Sequence, residues 1–281
     1  MKIWQADFYR RPLQTESGSP LWELLICDAE GQQILSAFCP QREANSLWLT
    51  QQMQKIGDLP DRLQVFRPQS LSLLQTACEP LGITVEPTRR TSALKQLVEE
   101  KYGAIELEKP PPVPLPENLW GERWRFGAIA AQDLVPIFGN RIIPVREMPE
   151  SLLPVNLNLP STTAIPGVII DGGRQAMPLA RWVERSHPYA LQSIPGAPDG
   201  LILEAGLSDR WILTTFDDAD VIVAAQTFRQ RQQAARGLHF LLVQPDDSGM
   251  TYSGFWLLRG EDSGSVLGGD SSEFGDSGSD G

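Results

Sequence analysis

Apolar and polar positions alternate over Ile3–Arg10, Trp22–Asp28 and Ile34–Phe38, which predicts three extended segments with Ala29-Glu30-Gly31-Gln32 as the turn between the last two. The period then changes. Leu49, Met53 and Ile56 fall at i, i+4 and i+7, the spacing of one helical face, and Leu63–Phe66 reads as a short strand. After Pro68, Leu71, Leu74, Cys78 and Leu81 share a second helical face, which Glu79-Pro80-Leu81-Gly82 closes. Ile83–Val85 is a further strand, and Leu94, Leu97, Val98 and Tyr102 mark a third helix. Farther on, Trp124–Ala130 and Gly167–Ile170 read as strands, and Leu201–Ala205 and Arg210–Phe216 form a hairpin about Gly206-Leu207-Ser208-Asp209. Asp217 or Asp218 can cap a helix that runs to about Arg236, with Gly237 as its stop. Leu238–Gln244 and Tyr252–Arg259 make a second hairpin, while Ile137–Thr163 is proline-rich and shows no period.

These elements predict an α+β/α/β protein of two domains. Residues 1–105 follow the order β-β-β-α-β-α-β-α, similar to the ribonuclease H fold, and residues 119–260 form a mixed α+β domain. Between them, residues 106–118 include the proline run Lys109–Pro116, whose fixed φ and missing donors favour an extended linker. Residues 261–281 are rich in Gly, Ser and Asp and hold one aromatic, Phe274; such a composition predicts a disordered acidic tail. A chain of 281 residues accommodates two cores.

Charge narrows the functional classes. The net charge is −11, and the tail contributes six acids and no base, so the first 260 residues still carry −5. Nucleic-acid binding would therefore have to rest on local basic patches. Cys27, Cys39 and Cys78 are far apart and form no CxxC pattern, which argues against a disulfide framework or a zinc site and predicts three buried small hydrophobes. No stretch has the length and apolarity of a membrane span, and the first residues lack the apolar core of a signal peptide, so integral membrane insertion is not expected.

No nucleotide, metal or cofactor site is legible. Asp171-Gly172-Gly173 reads as a plain turn, and the two histidines, His187 and His239, give a metal cluster or catalytic triad little to build on. A metal-dependent nuclease would use Asp7 on the first strand, but it would need further acids; only Glu23 and Asp28 are near in sequence, and Leu63–Phe66 ends in Arg67-Pro68. Asp7 reads instead as an ion-pair or turn partner of Arg10 or Arg11, and the chain is expected to be non-enzymatic.

The arginines offer the better chemistry. Gln226, Arg229, Gln233 and Arg236 fall at i, i+3, i+7 and i+10 on one polar helical face. Arg10 and Arg11 follow an aromatic strand, and Arg123, Arg125 and Arg259 lie beside tryptophans. Arginine grips phosphate, and an adjacent aromatic stacks on an unpaired base. The same arginines also suit an ordinary solvated helix face, and the eight tryptophans, at 4, 22, 48, 120, 124, 182, 211 and 256, suit cores.

Trp4-Gln5-Ala6-Asp7-Phe8-Tyr9-Arg10-Arg11-Pro12, Leu21-Trp22-Glu23-Leu24-Leu25-Ile26-Cys27-Asp28 and Phe255-Trp256-Leu257-Leu258 resemble the chloroplast and cyanobacterial translation factors required for a reaction-centre polypeptide of photosystem I. The resemblance covers about residues 1–260. It implies contact with single-stranded AU-rich RNA near a 5′ untranslated region, a role in translation of photosystem messages and photosystem biogenesis, and no catalytic residues. Because the chain opens at its first strand without a Ser- and Arg-rich transit segment, a cyanobacterial, cytoplasmic member is expected. The rival expectation is an assembly factor that uses the same surfaces on the ribosome or on nascent photosystem subunits.

Overall fold

Strand β1 (Ile3–Gln14) buries its apolar even positions, Trp4, Ala6 and Phe8, and also its polar odd positions Gln5 and Asp7, so both faces of the sheet around it must be covered. The computed structural model describes residues 1–14, 18–103 and 110–260, and among these it has three mixed sheets and six α-helices. β1 pairs antiparallel with β2 (Pro20–Asp28), which pairs antiparallel with β3 (Gln33–Pro40). On its other edge β1 runs parallel to β4 (Arg62–Val65), which runs parallel to β5 (Thr84–Pro87), giving the order β3-β2-β1-β4-β5.

Helices α1 (Ser46–Gln54) and α2 (Pro68–Cys78) close the apolar face through Leu49, Met53, Leu74 and Cys78 against Trp4 and Phe8. Asn45 caps α1 by accepting from the Trp48 N–H at 3.0 Å. Helix α3 (Ser92–Tyr102) covers the opposite face with Leu94 and Val98 against Leu25, Cys27 and Phe66. One of its first-turn amides is satisfied from the sheet: Gln5 Oε1 accepts from the Leu94 N–H at 2.9 Å. Every element predicted for this domain is present in the predicted order.

The second half of the predicted linker is part of the C-terminal domain. Val113–Pro114 form β6, parallel to β12 (Asp209–Phe216), and Leu115 and Leu119 are buried behind it. Proline is tolerated there because β6 is an edge strand and needs few donors; Leu115 N–H supplies one, to the Ile212 carbonyl at 3.1 Å. The first sheet of this domain runs β10 (Pro188–Ile194), β11 (Asp199–Ala205), β12, β6. The second runs β7 (Arg123–Ala130), β9 (Ala164–Asp171), β13 (Leu238–Gln244), β14 (Gly254–Arg259), β8 (Val145–Glu147).

Between the sheets lies one core, in which α5 (Ala176–Ser186) and α6 (Ala219–Ala234) bury Leu179, Val183 and Phe228 against Leu201, Leu203, Val168 and the fully buried Trp256. The outer face of the second sheet is closed by the segment without a period. Its short helix α4 (Ala131–Leu134), together with Phe138 and Ile143, packs on Phe240, Leu242, Phe255 and Leu257. A plug made of single apolar side chains on irregular backbone leaves no periodicity to read.

Helix α6 is shorter than its sequence suggests. Asp218 caps it, accepting from Asp220 and Val221 N–H at 2.9 and 3.2 Å, but it ends at Ala234, and Arg236 and Gly237 both have positive φ, 52° and 79°. The Gly237 N–H returns to the Gln232 carbonyl at 2.8 Å, so the glycine and the residue before it make the stop. The predicted linker also reaches into residues 104–109, and the predicted acidic tail occupies 261–281; both stretches lie outside the described residues.

The two domains touch through consecutive arginines after β5. Arg89, buried, donates Nε to the Leu207 carbonyl, and Arg90 reaches the Glu147 carboxylate and, at 3.3 Å, the Pro188 carbonyl. Three elements of the C-terminal domain are thereby tied to one loop of the N-terminal domain.

Candidate nucleic-acid interface

The seven arginines singled out in the sequence fall at four places. On β1, Arg10 is exposed beside Trp22 of β2, with no ion pair among the described residues. Arg11 points the other way and is buried; its Nε donates to Glu23 Oε2 at 2.7 Å, its Nη2 faces Asp7 Oδ2 at 3.1 Å, and its guanidinium lies over the Tyr102 ring at 4.6 Å. The expectation that Arg11 meets phosphate is therefore corrected: β1 alternation sends it under α3, where it neutralises two buried carboxylates.

Those carboxylates are saturated by protein donors. Asp7 also accepts from Arg67 Nε at 2.8 Å, and Glu23 from Ser36 Oγ at 2.6 Å, Tyr102 Oη at 2.8 Å and Lys101 Nζ at 3.2 Å. Burial opposes ionisation of Glu23, but the hydrogen bonds from Ser36, Tyr102 and Arg11, with the Arg11 charge, outweigh it and hold the carboxyl below its ordinary range. Burial, with the bond to Glu23, pushes the Tyr102 hydroxyl up to about 12. A divalent metal between Asp7 and Glu23 would have to displace the Arg11 guanidinium, so these residues do not fit a metal pair. Among the described residues, no three His, Cys, Asp or Glu side chains converge as metal ligands.

Neither histidine is placed as a catalyst. His187 is exposed with φ 54°, and His239 is fully buried, accepting at Nε2 from the Leu191 N–H at 2.7 Å with Nδ1 2.8 Å from the Gly237 carbonyl. Burial pushes His239 down to about 4, against the Gly237 bond, so it is neutral. The three cysteines are buried and free, with burial raising Cys27 and Cys78 to about 12 and Cys39 to about 11.

The helical arginine stripe is not continuous. Arg229 on α6 is half-buried and donates to Ser193 Oγ on β10 at 3.1 Å. Arg236, beyond the helix, turns in its left-handed conformation to the Leu157 carbonyl at 2.9 Å, and Arg259 Nε donates to the Arg236 carbonyl at 3.0 Å. Arg236 and Arg259 are thus neighbours, and Arg229 stands apart.

The fourth place is the free edge of the second C-terminal sheet. On β7, Trp124 and Phe126 face the core, against Phe216 at 5.4 Å and Phe228 at 5.2 Å, while Arg123 and Arg125 project from the other face. Both arginines converge on Asp171 at the end of β9. Arg125 Nη1 is 2.6 Å from its Oδ2 and Arg123 Nε 4.0 Å, with Gln244 Nε2 on Oδ1 at 2.8 Å. Arg125 neutralises this buried acid. Arg123 is 70% exposed at its side chain, and its second partner, Asp247, is nearly as exposed, at 3.2 Å.

Trp120 completes this edge. Its indole N–H donates to the Leu115 carbonyl at 3.0 Å, yet the residue is 57% exposed, so it does not belong with the core tryptophans where its sequence context put it. Gly121 lets the chain approach the sheet here: a Cβ at this position would lie 2.5 Å from Ile170 Cγ2. The edge therefore presents an exposed guanidinium between two indoles, an arrangement able to pair with phosphate and stack on a base. What the sequence offered was only the Trp-Gly-Glu-Arg-Trp-Arg run; that Trp120 faces water could not be read from it.

Comparison with known proteins agrees with this chemistry. Residues 3–101 match the family described as RNA-binding protein Tab2/Atab2 N terminal, and residues 102–259 match the C-terminal domain of the same family. The maize protein named "Protein TAB2 homolog, chloroplastic" is 30% identical over 92% of this chain and 71% of its own length, and the Arabidopsis thaliana protein of the same name is 28% identical over 92% and 74%. Matched across both domains, the chain belongs to the Tab2/Atab2 RNA-binding protein family.

Proposed function

We propose that this protein is a non-enzymatic factor that binds single-stranded, AU-rich RNA and supports translation of a photosystem message, and that the RNA lies along the β7 edge of the C-terminal domain. The exposed Arg123 between Trp120 and Trp124 carries the assignment of the surface. Family membership and the chloroplastic relatives support the RNA and the photosynthetic setting. A cyanobacterial cytoplasm is the setting we assign; no helix among the described residues is long and apolar enough to cross a membrane.

We read the N-terminal domain as ribonuclease H-like on its sheet order and element order, but not as a nuclease. The position from which its first strand would offer a carboxylate to metal is Asp7, and Arg67 and Arg11 occupy that carboxylate.

A second reading, a protein-assembly role, is favoured by Ile142 and Met250, 98% and 81% exposed, which the Arg141 bond to the Gly249 carbonyl at 2.8 Å holds at one end of the sheet. Salt titration separates the two. Binding of an A- and U-containing single strand should weaken with salt by roughly 0.7 log units per log unit for each phosphate contact, and Arg123→Gln should remove about one contact with the fold intact. Wild-type protein that binds no RNA at low salt, yet captures nascent chains, would replace the first reading with the second.

A further inference from the structure

Beneath Trp120 and Trp124 the two C-terminal sheets leave a cavity of about 140 Å³, floored by Leu201, Leu213 and Val168, with Arg123 at its rim and Thr214 as the one hydroxyl among its lining residues. It opens where the β7 edge meets the segment after β6. An apolar protein cavity of about 150 Å³ takes up one benzene ring. This one therefore has room for a single six-membered ring and not for the fused bicycle of a purine.

Its mouth is built rather than accidental. Leu115 and Leu119, 4% and 6% exposed, anchor the segment that carries Trp120, and the indole bond to the Leu115 carbonyl fixes the ring plane while leaving the ring accessible. Trp124 is held edge-on against Phe126 at 5.3 Å and against Phe216 at 5.4 Å. Two indoles immobilised before any ligand arrives lose little rotamer freedom on stacking. Arg123 can take the adjoining phosphate in exchange for Asp247, because an ion pair between two well-exposed side chains holds weakly.

We propose that this cavity is a base pocket that accepts one unpaired pyrimidine of a single-stranded RNA, stacked at its mouth on Trp120 and Trp124, with Arg123 on the flanking phosphate. The assignment rests on the RNA-binding reading above and adds to it a preference for pyrimidine over purine at one position, set by volume. Thr214 supplies a hydroxyl able to donate to or accept from the base edge.

The test uses the full chain with oligouridylate and oligoadenylate of equal length, and the same uridylate carrying a photoreactive thiouridine. Wild type should bind the uridylate more tightly, and the crosslink should map to the peptides holding Trp120 and Trp124. Trp120→Ala should weaken uridylate binding roughly 5- to 100-fold, the loss of one base–aromatic stack, with the salt slope unchanged. Trp120→Phe should restore most of it. Leu213→Phe, which fills the cavity from below, should abolish the preference between the two strands while leaving the slope intact. Wild-type protein that binds neither strand overturns the RNA reading and the pocket together. Binding that ignores Trp120→Ala and Leu213→Phe, with crosslinks elsewhere, overturns the pocket alone; if Trp120→Ala fails to fold, the crosslink map and Leu213→Phe decide.

Discussion

Replacing Arg11 by methionine removes the cation shared by Asp7 and Glu23 while keeping most of the side chain's volume over Tyr102. Breaking a buried ion pair from one side typically costs about 3–5 kcal/mol, because a charge is left without its partner. Here the low end applies. Asp7 keeps Arg67, and Glu23 keeps Lys101, Tyr102 and Ser36. At roughly 4–8 °C per kcal/mol for a domain of about 100 residues, a loss of about 3 kcal/mol lowers the melting temperature of the N-terminal domain by roughly 12–24 °C. The pH dependence follows from Glu23, whose carboxyl is held below its usual range by its donors despite burial. A depressed carboxyl gives stability that is present above its unfolded value of 4.5 and lost as the pH falls through the folded value. The gap between wild type and Arg11→Met should therefore be full at pH 7 and narrow below about 4.5, as followed by circular dichroism melts across that range. RNA binding by the folded variant should match wild type. A melting temperature within about 4 °C of wild type, combined with lost RNA binding, would show that Arg11 meets the ligand and that the buried network is not what holds β1, β2 and α3 together.

Two further outcomes follow from the packing. Because burial lowers His239 to about 4 from 6.5, the unfolded chain takes up a proton that the folded one refuses, so stability should fall between about pH 6.5 and 4 by up to about 3 kcal/mol, and His239→Gln should flatten that part of a denaturant-midpoint profile. Arg89→Ala with Arg90→Ala removes the charged hydrogen bonds between the domains, each worth about 1.5–3 kcal/mol, and should split one calorimetric transition into two; a single unchanged transition would mean the domains are coupled elsewhere.

The N-terminal elements were legible because a half-buried strand and an amphipathic helix each carry their own period, and this domain is built of little else. What the pattern concealed is the fate of the polar face of β1. Gln5, Asp7 and Arg11 alternate with Trp4, Ala6 and Phe8 as though they faced water, yet α3 covers them, and they satisfy one another and the helix terminus internally. Alternation reports a difference between two faces, not which solvent each meets. That is why Arg10 and Arg11, adjacent in sequence and alike in composition, part company in the structure. In the C-terminal domain, α5 did carry a helical signal, with Ala176, Leu179, Ala180 and Val183 at i, i+3, i+4 and i+7. Pro178 obscured it, although a proline in a first turn forfeits only an amide that has no intrahelical partner. The cavity under Trp120 could not be read at all, since its floor comes from Leu201 and Leu213, about 80 to 90 residues along the chain from its mouth.

An acidic chain that binds RNA has to economise on phosphates, and the β7 edge indicates how. Arg125 is committed to a buried carboxylate and Arg11 to two, so the guanidinium readily available at this edge is that of Arg123, whose exposed partner Asp247 gives it up easily. One or two phosphate contacts imply a salt slope no steeper than roughly −1.5 for single-stranded RNA, far shallower than that of a basic groove. Affinity must then come from stacking, at about 1–3 kcal/mol per base, and stacking is insensitive to salt. Two tryptophans held rigid at the edge of a sheet supply that term without a basic field, and they let a chain with a charge of −11 select an unpaired strand over the far more numerous duplex phosphates around it, because a paired base has no free face to offer an indole.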